Sequence, residues 1–200
     1  MNIGARKKLI TPKQRERERA RVFRPLAIEI GWVVYEWNRL QAAIGELFAD
    51  VVSKENPRLG FSIWHSLAAN ERAQREMLRA AVDAAWPDKR RAHQDISWIL
   101  TKVDALAGRR NVAIHSPLVF VNEPSGSIDI LPMYFFGNPR AAELKGKSLL
   151  EEYLWYRDHL SKLAGFAEIL HYAIVFPEYA WPDRPQLLSR EESRRRARRR

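Results

Sequence analysis

Apolar residues recur at intervals of three and four over most of this chain, a spacing typical of amphipathic helices. The first series covers residues 26–52 and predicts one long helix that ends near Ser53. Upstream of it, Thr11 and Pro12 form a helix-start signal, an N-cap followed by proline in the first turn. We expect Pro25 to restart or kink this helix, because proline lacks the N–H that an internal helical position donates.

Three further helical segments are predicted in the middle of the chain. The first covers residues 62–67, and the second runs from an N-cap at Asn70 to Trp86. The third starts near Lys89 and cannot pass beyond Ser116, since the residue before a proline avoids helical geometry and position 117 is proline.

A different pattern follows this third segment. Two short apolar stretches, residues 118–122 and 127–136, flank a Pro-Ser-Gly turn and predict a β-hairpin or extended flap. Ser148 then caps a last long helix that Pro177 ends, and residues 181–188 form an apolar strap. The sequence therefore predicts an all-α fold, a bundle of four to five helices with a short β-hairpin or flap inserted before the last long helix.

The 200 residues carry a formal net charge of +10, but this charge is unevenly distributed. Residues 1–23 hold eight basic and two acidic side chains, and residues 189–200 hold seven basic and two acidic ones. Residues 24–188 are nearly balanced, with 19 basic and 20 acidic side chains. Because blocks of like charge stay solvated, we predict a basic, partly helical N-terminal arm (1–24), a helical domain (25–188) and a disordered arginine-rich tail (189–200).

Composition excludes several classes of protein. The chain has no cysteine, which rules out disulfide bridges, thiolate metal sites and cysteine nucleophiles. Its apolar runs are short and broken by charge, so no membrane span is expected, and the stretch from Met1 to Arg24 is too charged for a secretory signal. We expect a soluble, cytoplasmic protein with no membrane contacts.

One cluster of residues with chemical potential lies at the predicted end of the third helical segment, Arg109-Arg110-Asn111-Val112-Ala113-Ile114-His115-Ser116-Pro117. Five positions along a continuous α-helix correspond to a rotation of about 140°, so Arg110 and His115 would not share a face. We therefore expect the backbone to leave helical geometry between them. Gly108 and Pro117 favour such a departure, and Asn111 tolerates the irregular backbone.

This segment resembles the signature of HEPN domains, in which an arginine is followed after four to six residues by a histidine. Asn111 fits the same signature, since the residue after the arginine is often Asn, Asp or His. The order of helices over roughly residues 26–188 is also similar, including Glu36-Trp37-Asn38-Arg39-Leu40 on the first long helix and the strap after the last one. The chain resembles one uncharacterised bacterial branch of that superfamily.

The resemblance implies a metal-independent RNA endonuclease that acts as a homodimer, with two copies of the motif forming one composite active site. Arg110 would hold the scissile phosphate, His115 would be the general acid/base, and Asn111 would orient one of them. Arg109 is an alternative motif arginine, because its spacing to His115 also lies within the family range. A toxin, defence or RNA-processing role would follow, with an antitoxin protein as a further partner.

Other residues are assigned supporting roles. Glu36 and Asn38 are candidates for the polar surroundings of the site, although a solvated carboxylate is more common than a buried one. The tail arginines Arg194, Arg195, Arg196 and Arg198 are candidates for binding nucleic-acid phosphates. The other four histidines, His65, His93, His159 and His171, lack metal-ligand spacing and are expected to be structural or exposed.

No metal and no cofactor is expected, because RNA supplies its own 2′-OH nucleophile and the protein need only move protons and hold an anion. Two alternatives stay open at this point. One is a non-catalytic HEPN-like bundle that binds RNA or a protein partner. The other is a helical dimerisation scaffold whose charged arms dock to a larger ribonucleoprotein.

Overall fold

A computed structural model describes residues 11–67, 70–116, 118–122, 128–133 and 139–197. The described residues form seven helices: α1 (Pro12–Ser53), α2 (Pro57–Leu67), α3 (Glu71–Ala85), α4 (Arg90–His115), α5 (Pro139–Ala142), α6 (Leu149–Val175) and α7 (Arg190–Ala197). Strands β1 (Leu118–Asn122) and β2 (Ile128–Pro132) form an antiparallel hairpin between α4 and α5. The predicted all-α fold with a short β-hairpin before the last long helix is confirmed.

Three helices begin at the caps that the sequence indicates. The side chain of Thr11 accepts a hydrogen bond from the backbone N–H of Gln14, and the Gln14 side chain accepts one from the Thr11 backbone in return. Asn70 caps α3 and Ser148 caps α6 in the same way, each accepting from the backbone N–H three residues later.

Pro25 was expected to restart or kink the first helix; a restart does not occur, since α1 is one helix of 42 residues, and a kink stays a prediction. Pro25 removes one backbone donor, which leaves the carbonyl of Arg21 without its helical partner. Arg21 is exposed, so water can hydrogen-bond that carbonyl. The cost of proline is therefore smaller here than in a buried helix.

The core lies where α1, α4 and α6 meet. Ion pairs link Glu29 to Arg157, Arg39 to Glu168 and Asp50 to His171, and these pairs follow the same order along both helices, so α1 and α6 are parallel. Trp98 packs against Phe166 and Arg109 lies over Trp155, so α4 runs antiparallel to α6. The fully buried side chains of this core come from all three helices: Trp37, Leu40, Ile44, Leu47, Ile96, Ile99, Leu100, Val103, Leu160 and Leu163.

The hairpin covers the first part of α1, next to the end of α4. Phe120 of β1 packs edge-to-face against Phe23, with ring centroids 6.3 Å apart, and Ile130 of β2 is buried. Because only two residues separate the end of α4 from the start of β1, these contacts restrict where the last turn of α4 lies.

The strap after α6 is extended, as predicted, and lies against α4. Asp95 is the anchor: one carboxylate oxygen accepts from Trp181 Nε1 at 2.8 Å and the other from Arg184 Nε at 2.6 Å. Asp95 is itself buried, so the two donors also satisfy a carboxylate that would otherwise be costly to desolvate.

The prediction of a disordered tail is wrong for residues 190–197, which form α7. Arg190 Nε donates to Glu152 on α6 at 2.6 Å, and Arg194 Nε donates to Glu151 at 3.1 Å. The arginines of α7 can order next to one another because the start of α6 offers two carboxylates to them, although Arg194 and Arg195 remain exposed. Residues 198–200 and the first ten residues lie outside the described part of the chain, while residues 12–24 of the N-terminal arm are helical.

None of the helices in the described ranges combines enough length with enough apolar character to cross a bilayer.

The crossing of α1 and α2 yields a test of the packing. A Cβ on Gly60 would overlap the Ala49 backbone and lie 2.8 Å from the Ala49 Cβ. We expect Gly60→Ala to lower the free energy of unfolding by about 1–3 kcal/mol, the usual cost of overpacking. Gly31→Ala is the matched control, since nothing lies within 4 Å of its Cβ, and it should raise stability by about 0.5–1 kcal/mol. Urea unfolding measures both; equal effects of the two variants would contradict this packing.

A second test uses the pair between α1 and α6. The hydrogen bond from His171 Nδ1 to Asp50 (2.6 Å) raises the pKa of His171. The protonated pair therefore stabilises the fold fully below the ordinary histidine pKa and loses this effect as the pH rises through the raised value. We expect His171→Gln to be less stable than wild type by about 1–3 kcal/mol at pH 5.5 and by less at pH 9. His65→Gln is the exposed control, and a pH-independent loss for His171→Gln would contradict the pairing.

Candidate nucleic-acid site

The motif segment is a continuous helix, so the expected departure from helical geometry between Arg110 and His115 is wrong. Helix α4 ends only at His115, and the backbone N–H of Ser116 still bonds to the carbonyl of Val112. Val112 is buried, so continuing the helix buries apolar surface. This gain outweighs the roughly 1 kcal/mol that Gly108 costs inside a helix.

Arg110 is fixed by contacts to two other helices. Its guanidinium lies 5.6 Å from the centre of the Trp37 ring on α1, and its Nη2 is 3.4 Å from Oε1 of Glu71 at the start of α3. The same carboxylate oxygen accepts from Trp37 Nε1 at 3.0 Å. Glu71 therefore joins α1, α3 and α4, and it partly neutralises the arginine.

Asn111 and His115 share a face of α4, because four positions rotate the helix by only about 40°. Both side chains are exposed, and His115 has no hydrogen bond or ion pair to any other described residue. Arg110 Nη1 donates to Asn111 Oδ1 at 3.0 Å. Asn111 thus connects the arginine to the face that carries the histidine, although Arg110 and His115 point in different directions.

Arg109 lies on another side of the helix. Its guanidinium faces α6, 5.6 Å from the ring centre of Trp155 and 5.9 Å from that of Tyr156. It has no hydrogen bond to Asn111. Of the two candidate arginines, only Arg110 is connected to the other motif residues.

The two predicted supporting residues on α1 do not contact the motif. Glu36 is buried, but its carboxylate accepts from Arg39 Nη1 at 3.1 Å. Arg39 also donates to both carboxylate oxygens of Glu168 on α6, and this hydrogen bonding raises the pKa of Arg39. Asn38 is exposed and forms no hydrogen bond with Arg110 or Asn111. Glu36 therefore stabilises the contact of α1 with α6.

The structure describes the side chains of only two of the four tail arginines that were predicted to bind phosphate. Arg194 is paired with Glu151, and Arg195 with Glu191 on its own helix. The side chain of Arg196 and the whole of Arg198 lie outside the described part of the chain.

The other four histidines are structural or exposed, as expected. His65 is exposed and stacks on Phe61, and His93 is bonded to Asp83. His171 is paired with Asp50. His159 is buried against Trp155, and burial lowers its pKa. Nowhere in the described ranges do three or more histidine or acidic side chains cluster as a metal ion would require.

Glu71 is the site residue that sequence reasoning missed. The only signal was its position directly after the cap residue Asn70, where an acidic side chain is favoured by the helix dipole. That signal explains an exposed carboxylate at the start of α3. It contains no information about α4, so the contact with Arg110 required the packed structure.

Comparison with family models, with curated proteins and with solved structures finds no match to this chain. The likeness to HEPN domains therefore rests on the motif residues and on the order of helices alone.

Proposed function

We propose that this protein is a metal-independent RNA endonuclease whose site lies on the last turn of α4. The observation that carries the proposal is the link from Arg110 through Asn111 to the face with the exposed His115. A cation, a carboxamide and a solvent-exposed imidazole are the groups needed to bind a phosphodiester and move a proton.

The chemistry follows from the substrate. The 2′-OH of RNA attacks the adjacent phosphorus once a base takes its proton, and the 5′-oxygen leaves when an acid returns one. His115 acts as acid or base, and Arg110 stabilises the charge that develops on the phosphate oxygens. The products are a 2′,3′-cyclic phosphate and a 5′-hydroxyl end.

A second copy of the chain completes the site in this proposal. The two proton transfers take place on opposite sides of the phosphorus, and each α4 end supplies one exposed histidine. Two α4 ends facing each other supply two histidines and two arginines. A role as a toxin, in defence or in RNA processing, and an antitoxin partner, stay predictions.

A non-catalytic RNA-binding role is the second candidate, and one observation favours it. Arg110 already has a carboxylate partner in Glu71, so a phosphate must compete with that ion pair. A protein that only binds RNA would tolerate this competition better than an enzyme that needs the full charge in the transition state.

The catalytic proposal is tested by incubating the protein with a defined RNA in the presence of a chelator. We expect His115→Ala to lose at least about a hundredfold in cleavage rate, as the removal of a general acid/base implies. His65→Ala, at an exposed histidine on α2, should cleave like wild type.

The RNA cleavage products and the measurement of RNA binding distinguish the catalytic function from the non-catalytic one. Cleavage by wild type should leave cyclic phosphate ends and fail on the matching 2′-deoxy strand. Equal cleavage by wild type and His115→Ala would refute the assignment of His115. Binding that weakens with salt but produces no cleavage would establish the non-catalytic role.

The dimer is tested by disulfide crosslinking, because the chain has no cysteine of its own. Asn111→Cys places a thiol on the exposed end of α4 and should give a covalent dimer on oxidation. Gly31→Cys places one on an open face of α1 beside the exposed side chains of Trp32 and Tyr35, and it should give no covalent dimer.

The reverse result would mean that two copies associate through α1, which would leave the two α4 ends apart. That result, or the absence of crosslinks from both variants, would refute the composite site.

A further inference from the structure

A cavity of about 320 Å³ lies between α4, the loop before α6, and α7. Each of these three elements contributes one cationic side chain to its wall: Arg109 from α4, Lys147 from the loop and Arg190 from α7. The remaining wall is formed by Asp104, Ala105, Gly108, Val112, Glu143, Leu144 and Tyr156. The volume is at the lower end of the range for small-ligand sites, about 300–1,000 Å³.

The carboxylates around this cavity do not balance its cations. Asp104 is already bound by Arg75 and Arg79, each at 2.6 Å. Glu152, only 1% exposed, is bound by Arg190 at 2.6 Å and lies 3.9 Å from Arg194. Glu143 is exposed on the loop.

Arg109 interacts with the Glu152 carboxylate only electrostatically, without a direct contact. No carboxylate among the described residues pairs with it, and its Nη1 is buried without a hydrogen-bond partner. The Arg109 side chain also lines the cavity, so an anion there can pair with its guanidinium.

The aromatic side chains of α6 hold the two arginines around this space. Arg109 and Arg190 both lie over the rings of Trp155 and Tyr156, with guanidinium-to-ring distances from 4.4 to 5.9 Å. The Tyr156 oxygen accepts from Arg190 Nη2 at 3.4 Å. Burial raises the pKa of Tyr156, so its hydroxyl keeps its proton and can donate to an oxyanion.

We propose that this cavity binds a phosphate group, held by Arg109, Lys147 and Arg190 with the Tyr156 hydroxyl as a further donor. A tetrahedral phosphate dianion has enough oxygens to accept from donors on three sides, and arginine forks match its geometry. A single carboxylate offers only two oxygens in one plane.

The surroundings indicate a phosphate ester as well as the free ion. A larger groove of about 1,070 Å³ between α6 and α7 shares Lys147 and Arg190 with the cavity. An organic group attached to the phosphate can extend into this groove, which also exposes Trp155 and Leu188 on its wall. The two sources of the phosphate are therefore a small phosphate compound and the phosphorylated end of an RNA strand.

This site is separate from the proposed active site and does not depend on it. Arg109 and Arg110 are neighbours in sequence, but one residue turns an α-helix by about 100°. Arg110 contacts α1 and α3, whereas Arg109 contacts α6. Phosphate binding at Arg109 holds whether or not the protein cleaves RNA.

The test measures binding of inorganic phosphate by calorimetry and by the shift in thermal unfolding. Wild type should bind and be stabilised, and Arg109→Gln should bind at least about tenfold more weakly. Lys102→Gln is the control: it removes one charge from the same helix, about two turns away and outside the cavity wall. Lys147→Gln, at an exposed loop position, should also weaken binding and guards against a folding defect in Arg109→Gln.

The source of the phosphate is distinguished with two 2′-O-methyl oligoribonucleotides of one sequence, which lack the nucleophile for cleavage. Tighter binding of the 5′-phosphorylated strand than of the 5′-hydroxyl strand assigns the site to RNA ends. Equal binding of both strands, with inorganic phosphate still bound, assigns it to a small phosphate compound. Equal phosphate responses of wild type, Arg109→Gln and Lys102→Gln, or no response of wild type at tens of millimolar phosphate, would overturn the proposal.

Discussion

Burial of one face of α1 against α6 and α4 determines the position of every other part of this fold. Trp37, Leu40 and Ile44 fill the space between the three helices, and ion pairs on the flank hold α1 parallel to α6. Parallel neighbours that are distant in sequence require a long connection, and α2 to α5 and the hairpin form it. The candidate site lies on this connection and not on the central pair.

Several charged side chains join helices and the strap to one another through ion pairs and hydrogen bonds. Glu71 links three helices through Trp37 and Arg110, and Asp95 anchors the strap through Trp181 and Arg184. Each of these carboxylates satisfies an indole N–H together with a guanidinium. The indole ring packs as an apolar group while its N–H stays hydrogen-bonded. Each carboxylate therefore allows a tryptophan to pack against its neighbours without leaving its N–H unpaired.

The sequence was sufficient for the longer helices α1, α3, α4 and α6, but not for the short helices α5 and α7 or for the contacts between helices. Periodic apolar positions and the caps Thr11, Asn70 and Ser148 predicted where helices start, since both signals are local. The restart at Pro25, the irregular backbone before His115 and the disordered tail were wrong for one reason. Each was decided by surroundings that local sequence does not contain: solvent at Arg21, burial of Val112, and the carboxylates of α6 facing Arg190.

The candidate site likewise contains some residues that the sequence could identify and others that it could not. Arg110, Asn111 and His115 were named as candidates from the motif, but that Asn111 and His115 share a face follows only from the continuous helix. The roles of Glu71 and of Glu36 were not identifiable, because a carboxylate on one helix finds its arginine on another only after packing. Arg109 and Arg110 looked equivalent in sequence, and the rotation of the helix separates them.

The attachment of α7 has a consequence for how the molecule responds to ionic strength. Its outer contact, Arg194 with Glu151, is a solvent-exposed ion pair, which contributes little and weakens further as salt is added. Its inner contact, Arg190 with the buried Glu152, is screened far less. Rising salt therefore weakens the attachment of α7 to α6 at Arg194 before it weakens the attachment at Arg190.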